Sequence, residues 1–397
     1  MTFKGDALMT LPPPPSFPDI RSRFMLRPDI AFLNHGSFGA VLRETFDHQT
    51  EWRRKLEAEP IELIGRRWPE LIAQAKAPIA EFLHMQPSDF GLVTNATEGV
   101  NAILQSLRFA PGDELLTTTH VYNAVRMSMR RVAEQSGATY REVDVATPLR
   151  SAGEITTAVM NAVTESTKLL VIDHVTSPTA LVFPVEQIAA RCAGRGVDVL
   201  IDGAHAPGML DLNVPATGAA YYAGNLHKWC CAPKGSGFLW VRPDRQAGIH
   251  PCVVSHNFDK SLADEFEWQG TRDGSAWFTI PQALKAMSEI GWERIRAYNR
   301  ALTLWAHQML ADRWNVEPLS PLDGQLLGSM ATLPLPGRLE RIGEVEMKAL
   351  QSALYHEDQI EAPLFMWQGA CHLRVCGQMY NIQQDYARLA DAIDRRL

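Results

Sequence analysis

The sequence predicts an α/β protein with a mainly parallel seven-stranded sheet in a large domain, followed by a smaller α+β C-terminal domain. Three observations lead there. From about Phe90 onward, short apolar, β-rich runs alternate with amphipathic helical stretches, which is the pattern of βαβ units. The runs are hydrophobic almost throughout rather than alternating, as strands covered on both faces require. After Pro281 the texture changes to a long helical pattern, and the 397 residues exceed the roughly 250–300 that one core supports.

Taken in order, residues 1–31 read as an N-terminal arm that packs on the small domain, because Leu11-Pro12-Pro13-Pro14-Pro15 favours an extended chain. Residues 32–280 form the large domain. Its strands are expected at Phe90–Thr94, Glu114–Thr118, Ala138–Val143, Lys168–Val175, Val197–Asp202, Ala219–Ala223 and Gly237–Val241. Helical patterns such as Asn123–Gln135 and Val185–Ala193 lie between several of them. Residues 281–397 form the small domain, with one long helix from Gln282 to about Arg313, a few strand-like segments, and a closing helix from Ile382 to Arg396.

Composition removes several function classes. Apolar residues at 46% and charged residues at 21% are ordinary for a globular protein with a sizeable interior. A net charge of −7 with Lys and Arg scattered argues against a nucleic-acid partner. No apolar run reaches the ~18–20 residues of a bilayer span, so no membrane association is expected. Lys4 is followed by the proline run rather than by the apolar stretch of a secretory signal, which points to the cytoplasm. Cys192, Cys230, Cys231, Cys252, Cys371 and Cys376 form neither a CxxC pair nor a disulfide framework, so reduced thiols and no metal site are expected.

The strongest chemical signal is a pair of segments, Val199-Leu-Ile-Asp-Gly-Ala-His205 and Tyr222-Ala-Gly-Asn-Leu-His-Lys228. Asp202 ends an apolar strand and opens into Gly203, which places its carboxylate at the carboxyl edge of the sheet, where open α/β folds bind ligands. A carboxylate buried there needs a cationic partner, and a protonated pyridine nitrogen would be one. Lys228 also lies just past an apolar strand, between His227 and Trp229. Desolvation lowers the pKa of such a lysine and leaves a nucleophilic amine able to form a Schiff base. The bland alternative is a helix-capping aspartate and a snorkelling surface lysine.

Seven segments together resemble the class V aminotransferase-like proteins of pyridoxal 5′-phosphate (PLP) fold type I, and within them the isopenicillin N epimerase-like branch. They are Asn34-His-Gly-Ser-Phe-Gly-Ala40, Asn95-Ala-Thr-Glu-Gly-Val-Asn101, Asp173-His-Val-Thr-Ser-Pro-Thr179, Asp202-Gly-Ala-His-Ala-Pro-Gly208, Asn225-Leu-His-Lys228, Gln269-Gly-Thr-Arg-Asp273 and Leu373-Arg-Val-Cys-Gly-Gln-Met-Tyr-Asn381. The resemblance implies PLP carried on Lys228, with Asp202 at the pyridine nitrogen and His120 stacked on the ring. Tyr122 is the rival for the stacking place. It further implies Ala96 and Thr97 at the phosphate, where free N–H groups of a helix start favour an anion in any case. His227 would be a second phosphate ligand, and Thr271 would reach the phosphate from the other subunit of a homodimer with shared active sites. Asn225 stands where many relatives have serine. Asp173 and Thr176 would line the cofactor's edge, unless Asp173 is a cap, and His205 would bond its phenolic oxygen.

For an amino-acid substrate, the resemblance makes Arg374 the carboxylate clamp, although an alternating strand by itself suggests a solvent-facing charge. A guanidinium suits that role because it binds carboxylate bidentately. Asn34 and His35 would reach the substrate side of the pocket, the alternative being a turn shaped by Gly36 and Gly39. Cysteine desulfurases of this class carry a nucleophilic thiol some dozen residues before the arginine, but here that stretch reads Gln359-Ile-Glu-Ala-Pro-Leu364. A persulfide-forming desulfurase is therefore disfavoured. The expected activity is an isopenicillin N epimerase-like amino-acid epimerase; the alternatives are a carbon–sulfur lyase acting on a cysteine derivative and a class V aminotransferase. His35 and Tyr122 are the candidates for the second proton-transfer group of an epimerase, with His35 preferred.

Overall fold

A computed structural model describes residues 16–397; the Leu11–Pro15 run on which the extended arm was argued lies outside them. The strands are β1 (Ala31–Phe32), β2 (Phe90–Val93), β3 (Glu114–Thr118), β4 (Thr139–Val143), β5 (Thr167–Asp173), β6 (Asp198–Gly203), β7 (Tyr221–Asn225), β8 (Gly237–Val241), β9 (Met330–Pro334), β10 (Ile360–Glu361), β11 (Leu364–Trp367) and β12 (Ala370–Cys376). Seven of them form one sheet in the order β2-β8-β7-β6-β5-β3-β4. β8 runs antiparallel to both neighbours, and the other four pairings are parallel. This is the mainly parallel α/β sheet that the apolar runs indicated.

The sheet sits between helical layers, which is why its strands carry so few polar residues. Leu169, Leu170, Val171 and Ile172 of β5 have no solvent exposure at all. Leu170 and Ile172 face one apolar core, while Leu169 and Val171 face another on the opposite side. The helix Ala96–Ser106 packs on β7 and β8. Its first turn thereby reaches the carboxyl edge of the sheet.

A separate core joins residues near the N-terminus to the C-terminal elements. Phe17 meets Tyr298 edge-on at 5.2 Å, Phe24 meets Tyr380 at 4.8 Å, and β1 pairs in parallel with β10. Above them stands a three-stranded antiparallel sheet, β11-β12-β9, packed against the helix Trp292–Trp314. Two further helices, Arg43–Ala58 and Trp68–Leu83, were not read from the sequence.

The single long helix expected from Gln282 to Arg313 is in fact two, Ile280–Ile290 and Trp292–Trp314. Gly291 separates them with φ 102° and ψ 106°, a conformation that L side chains rarely adopt. Its N–H still closes the first helix on the Met287 carbonyl. A Cβ placed there would meet nothing nearer than Arg294 Cβ at 3.8 Å, so any substitution penalty is conformational rather than steric. Gly291→Val is accordingly expected to cost about 1–3 kcal/mol of stability, read as a lower urea midpoint. An unchanged midpoint would show that the break adapts to a side chain.

Candidate active site

The carboxyl ends of the parallel strands converge on a cavity of about 460 Å³. Because β8 is reversed, the loop between β7 and β8 lies at this same edge. Thr97, Tyr122, Asp173, Asp202, His205, His227 and Lys228 all line it. This is the crevice position that the strand order of an open α/β sheet dictates.

Asp173 and Asp202 close neighbouring strands and are register partners, so their side chains leave the sheet on the same face. Both are buried. Asp202 Oδ1 accepts the Ala204 N–H at 3.0 Å, whereas Asp173 Oδ2 has no partner. Burial pushes both carboxyls up, and the neighbouring Asp202 charge raises Asp173 further. No Lys or Arg forms a salt bridge with either one among the described residues. A cation is the missing complement.

Lys228 follows β7 and extends its Nζ to within 3.3 Å of His205 Nε2. Burial, and then the positive charge of Arg374, lower this amine to about 8 against the opposing pull of Asp202. A neutral, nucleophilic fraction therefore exists near neutral pH. His205 is itself buried and held well below the usual histidine range, with Trp229 Nε1 directed at its Nδ1 at 3.5 Å.

At the other end of the cavity the helix Ala96–Ser106 begins. Asn95 caps it by accepting the Glu98 N–H at 2.9 Å. The Ala96 N–H donates to Asn225 Oδ1 at 2.7 Å, so the amide that replaces the usual serine occupies one of the two anticipated anion donors. Among the described residues the N–H of Thr97 has no hydrogen-bond partner. His227 donates its Nδ1–H to the Ser236 carbonyl at 2.9 Å, which leaves Nε2 as its open ring atom. Burial and the Lys228 charge lower His227 to about 4.

Arg374 is buried on β12 and lines a second cavity of about 580 Å³. The two cavities share Ser37, Tyr122 and Ser177. Arg374 Nη1 donates to the Ser177 carbonyl at 2.6 Å, and Nη2 donates to Ser37 Oγ at 3.0 Å and to Asn34 Oδ1 at 3.3 Å. Its Nε has no partner, and among the described residues no carboxylate pairs with it. The strand does not turn this residue to solvent because the β12 face that carries it lies against the loops at Asn34 and Ser177.

Other candidates stand elsewhere. His120 lines neither cavity: its Nδ1 accepts from Thr179 Oγ1 at 2.6 Å, its Nε2 donates to the Val145 carbonyl at 2.7 Å, and it packs on Trp367. Tyr122 lines both cavities. His35 is fully buried, with Nε2 donating to the Lys228 carbonyl at 3.0 Å and Nδ1 accepting from Tyr380 Oη at 2.9 Å and from the Ala40 N–H at 3.2 Å. Burial lowers it to about 3. It is thus directed at the lysine's backbone rather than at the cavity. Thr176 is buried with Oγ1 accepting the Leu181 N–H at 2.8 Å. Asn34 supports Arg374 and donates to Glu361 at 2.9 Å. Thr271 is exposed and outside the cavity of its own chain.

Lys234 lines the cavity and was not anticipated; its Nζ donates to the Gly39 carbonyl at 2.7 Å. The Pro233-Lys-Gly-Ser-Gly237 run just before a strand was the available signal. Gly39, at φ 59°, lies so close to the lysine segment that a Cβ would stand 2.2 Å from the His227 carbonyl oxygen.

The profile of the aminotransferase class-V family matches residues 50–338. The chain belongs to the class V aminotransferase family. It is 32% identical over 392 residues to isopenicillin N epimerase of Streptomyces clavuligerus, covering 95% of this chain and 97% of that one. Putative L-cysteine desulfhydrase 1 of Oryza sativa subsp. japonica is 30% identical over 401 residues, covering 92% and 83% respectively. Among solved structures, the cystine C–S lyase C-DES in complex with cysteine persulfide superposes with a TM-score of 0.78 at 21% identity, covering 92% of this chain and 97% of that one. The shared fold is that of the PLP-dependent class V enzymes.

PLP, the cofactor of this family, fits the residues present. The unpartnered Asp173 oxygen and the buried Asp202 suit a pyridinium, the free Thr97 N–H at a helix start suits a phosphate, and the Lys228 amine suits an aldehyde. In the apoprotein, acetylation of Lys228 should titrate with a midpoint near 8, well below the ordinary 10.5. Arg374→Ala removes a cation that disfavours the ammonium form and should raise the midpoint; Asp202→Asn removes an anion that favours it and should lower the midpoint. Peptide mapping of acetic anhydride adducts across pH reads both shifts. A wild-type midpoint at 10.5 would refute the desolvated amine.

Proposed function

We propose that this PLP-dependent enzyme acts at Cα of an amino acid, with Lys228 as cofactor anchor and Cα base, and that the reaction is epimerisation. The observation that carries the reading is Arg374, a buried guanidinium with an unpartnered Nε and no carboxylate partner, beside an amine lowered to about 8. An α-amino carboxylate would supply what this pair lacks. Arg374 would fix the carboxylate and so direct the Cα–H bond toward Lys228.

When bound, PLP supplies an electron sink for the pair left behind as the Cα proton departs. Asp202 and Asp173 would face the pyridine nitrogen and favour its protonated form. Thr97 and His227 would hold the phosphate, and an anion there would favour a proton on His227 Nε2. His205 stays neutral beside Lys228 and orients the amine. Thr271, exposed and away from its own cavity, fits a homodimer in which it serves the neighbouring site.

Epimerisation needs a second proton-transfer group on the opposite face. With His35 directed at the Lys228 carbonyl and His120 directed at Val145, that task falls to Tyr122, which also takes the stacking place. The same withdrawal of His35 favours a second reading, β-elimination from a cysteine derivative, which needs only Lys228. The likeness to isopenicillin N epimerase supports the first and the likeness to cysteine desulfhydrase the second.

Incubation with a panel of amino acids in deuterated water, scored for inversion, pyruvate and sulfide, distinguishes the two. Inversion with Cα deuteration supports epimerisation. Pyruvate release without inversion would replace it with elimination. Borohydride reduction of the holoenzyme should label Lys228, and a label elsewhere would displace it as anchor. Arg374→Lys should lower kcat/KM by roughly 10–100-fold, about the worth of one lost charge-assisted hydrogen bond, with cofactor content unchanged. Unaltered kinetics would place the clamp elsewhere.

A further inference from the structure

Of the residues assigned above to the cofactor, only Tyr122 lines the larger of the two cavities at the site. It meets the Lys228 cavity at Ser37, Tyr122 and Ser177, and Arg374 stands in its wall. On the reading above, the amino group of a substrate reacts at Lys228 and its carboxylate meets Arg374. Cα would then lie at the shared wall, with the first cavity left to the cofactor. The side chain has the second cavity left to enter.

The lining of this second cavity is mainly apolar, with Met347, Phe365, Met366, Trp367 and Pro178 beside polar Thr119 and Asn123. Thioethers and aromatic faces form an adaptable apolar surface that pairs well with carbon chains and with sulfur. The charged groups nearby are already satisfied or in water. Arg126 is bound to Glu142 at 2.8 Å and 3.2 Å and to the Thr119 carbonyl at 3.0 Å, and Glu344 is exposed at the mouth. Trp367 Nε1 has no hydrogen-bond partner, so apart from Arg374 the open polar group of this wall is a neutral donor rather than an unpaired charge. At about 580 Å³ the space is also far larger than a cysteine side chain needs.

We propose that this second cavity is the side-chain subsite and that it selects long, mainly apolar amino acids, of the class of S-substituted cysteines, over cysteine or alanine. The inference rests on the Lys228–Arg374 reading of the reaction.

Solvent deuterium exchange at Cα tests it in the holoenzyme without presuming the product. Exchange of S-benzylcysteine is expected to exceed that of alanine at least 10-fold in kcat/KM, within the range apolar pockets achieve. Met366→Glu, on the cavity wall, should lower the exchange of S-benzylcysteine at least 10-fold more than that of alanine. Met366→Trp, which fills the space without charge, should do the same and serves if the first variant folds poorly. Calorimetry on Lys228→Ala holoenzyme gives a readout free of turnover: S-benzylcysteine should bind at least 10-fold more tightly than alanine, with a negative heat-capacity change. Equal exchange of both amino acids by the wild type, or equal losses for both in the variants, overturns the subsite while the Lys228 reading survives. If no amino acid exchanges and borohydride leaves Lys228 unlabelled, the reaction reading falls, and the subsite with it.

Discussion

The edge of the sheet carries an imbalance of buried charge, and the surrounding structure is arranged to sustain it. Among the described residues, Asp173 and Asp202 stand side by side with no salt bridge to a cation, and Arg374 lies buried with no carboxylate paired to it. Each is unfavourable in the absence of a ligand. They persist because neither position is free to move: the carboxylates close strands covered on both faces, and the arginine lies in the middle of a sheet strand with four hydrogen bonds on its guanidinium. The apolar core on either side of β5 is what allows the strands to hold this geometry.

Much of this was legible in the sequence where the signal is local. Near-continuous apolar runs marked all seven strands of the large sheet to within two residues at either end, and the runs ending at Asp202 and shortly before Lys228 marked the two residues that the cavity brings together. The failures are equally physical. His35 and His120 each sit in a loop that reads like a binding loop, but their direction is set by distant partners, Tyr380 for one and Val145 with Thr179 for the other. Nothing in the local sequence distinguishes a histidine that faces a cavity from one that faces a carbonyl. Gly291 sits within a helical periodicity that continues past it, so the break left no trace in the pattern. Lys234 was overlooked because a lysine in a glycine-rich loop before a strand is commonplace; only the reversal of β8 brings it to the cavity.

His35 has a structural task of some reach. Its ring joins the Lys228 carbonyl to Tyr380, which packs edge-on against Phe24. The backbone of the reactive lysine is thus linked, through one histidine and one tyrosine, to the N-terminal segment. Gly39 lets the same loop lie directly on the lysine, and Lys234 fastens it from the other side. Support of this kind limits where the amine can point.

The reversed strand β8 also has a mechanical meaning. Because it returns beside β7, the segment carrying Lys228 is a hairpin loop anchored at both ends in the large sheet. Arg374 belongs instead to the three-stranded sheet that rests on the Trp292–Trp314 helix. The amine and the guanidinium therefore belong to different sheets. The guanidinium's hydrogen bonds to Ser177, after β5, and to Ser37 and Asn34 span the gap, so the distance between the two groups is set by side-chain contacts across the sheets as well as by the strands that carry them.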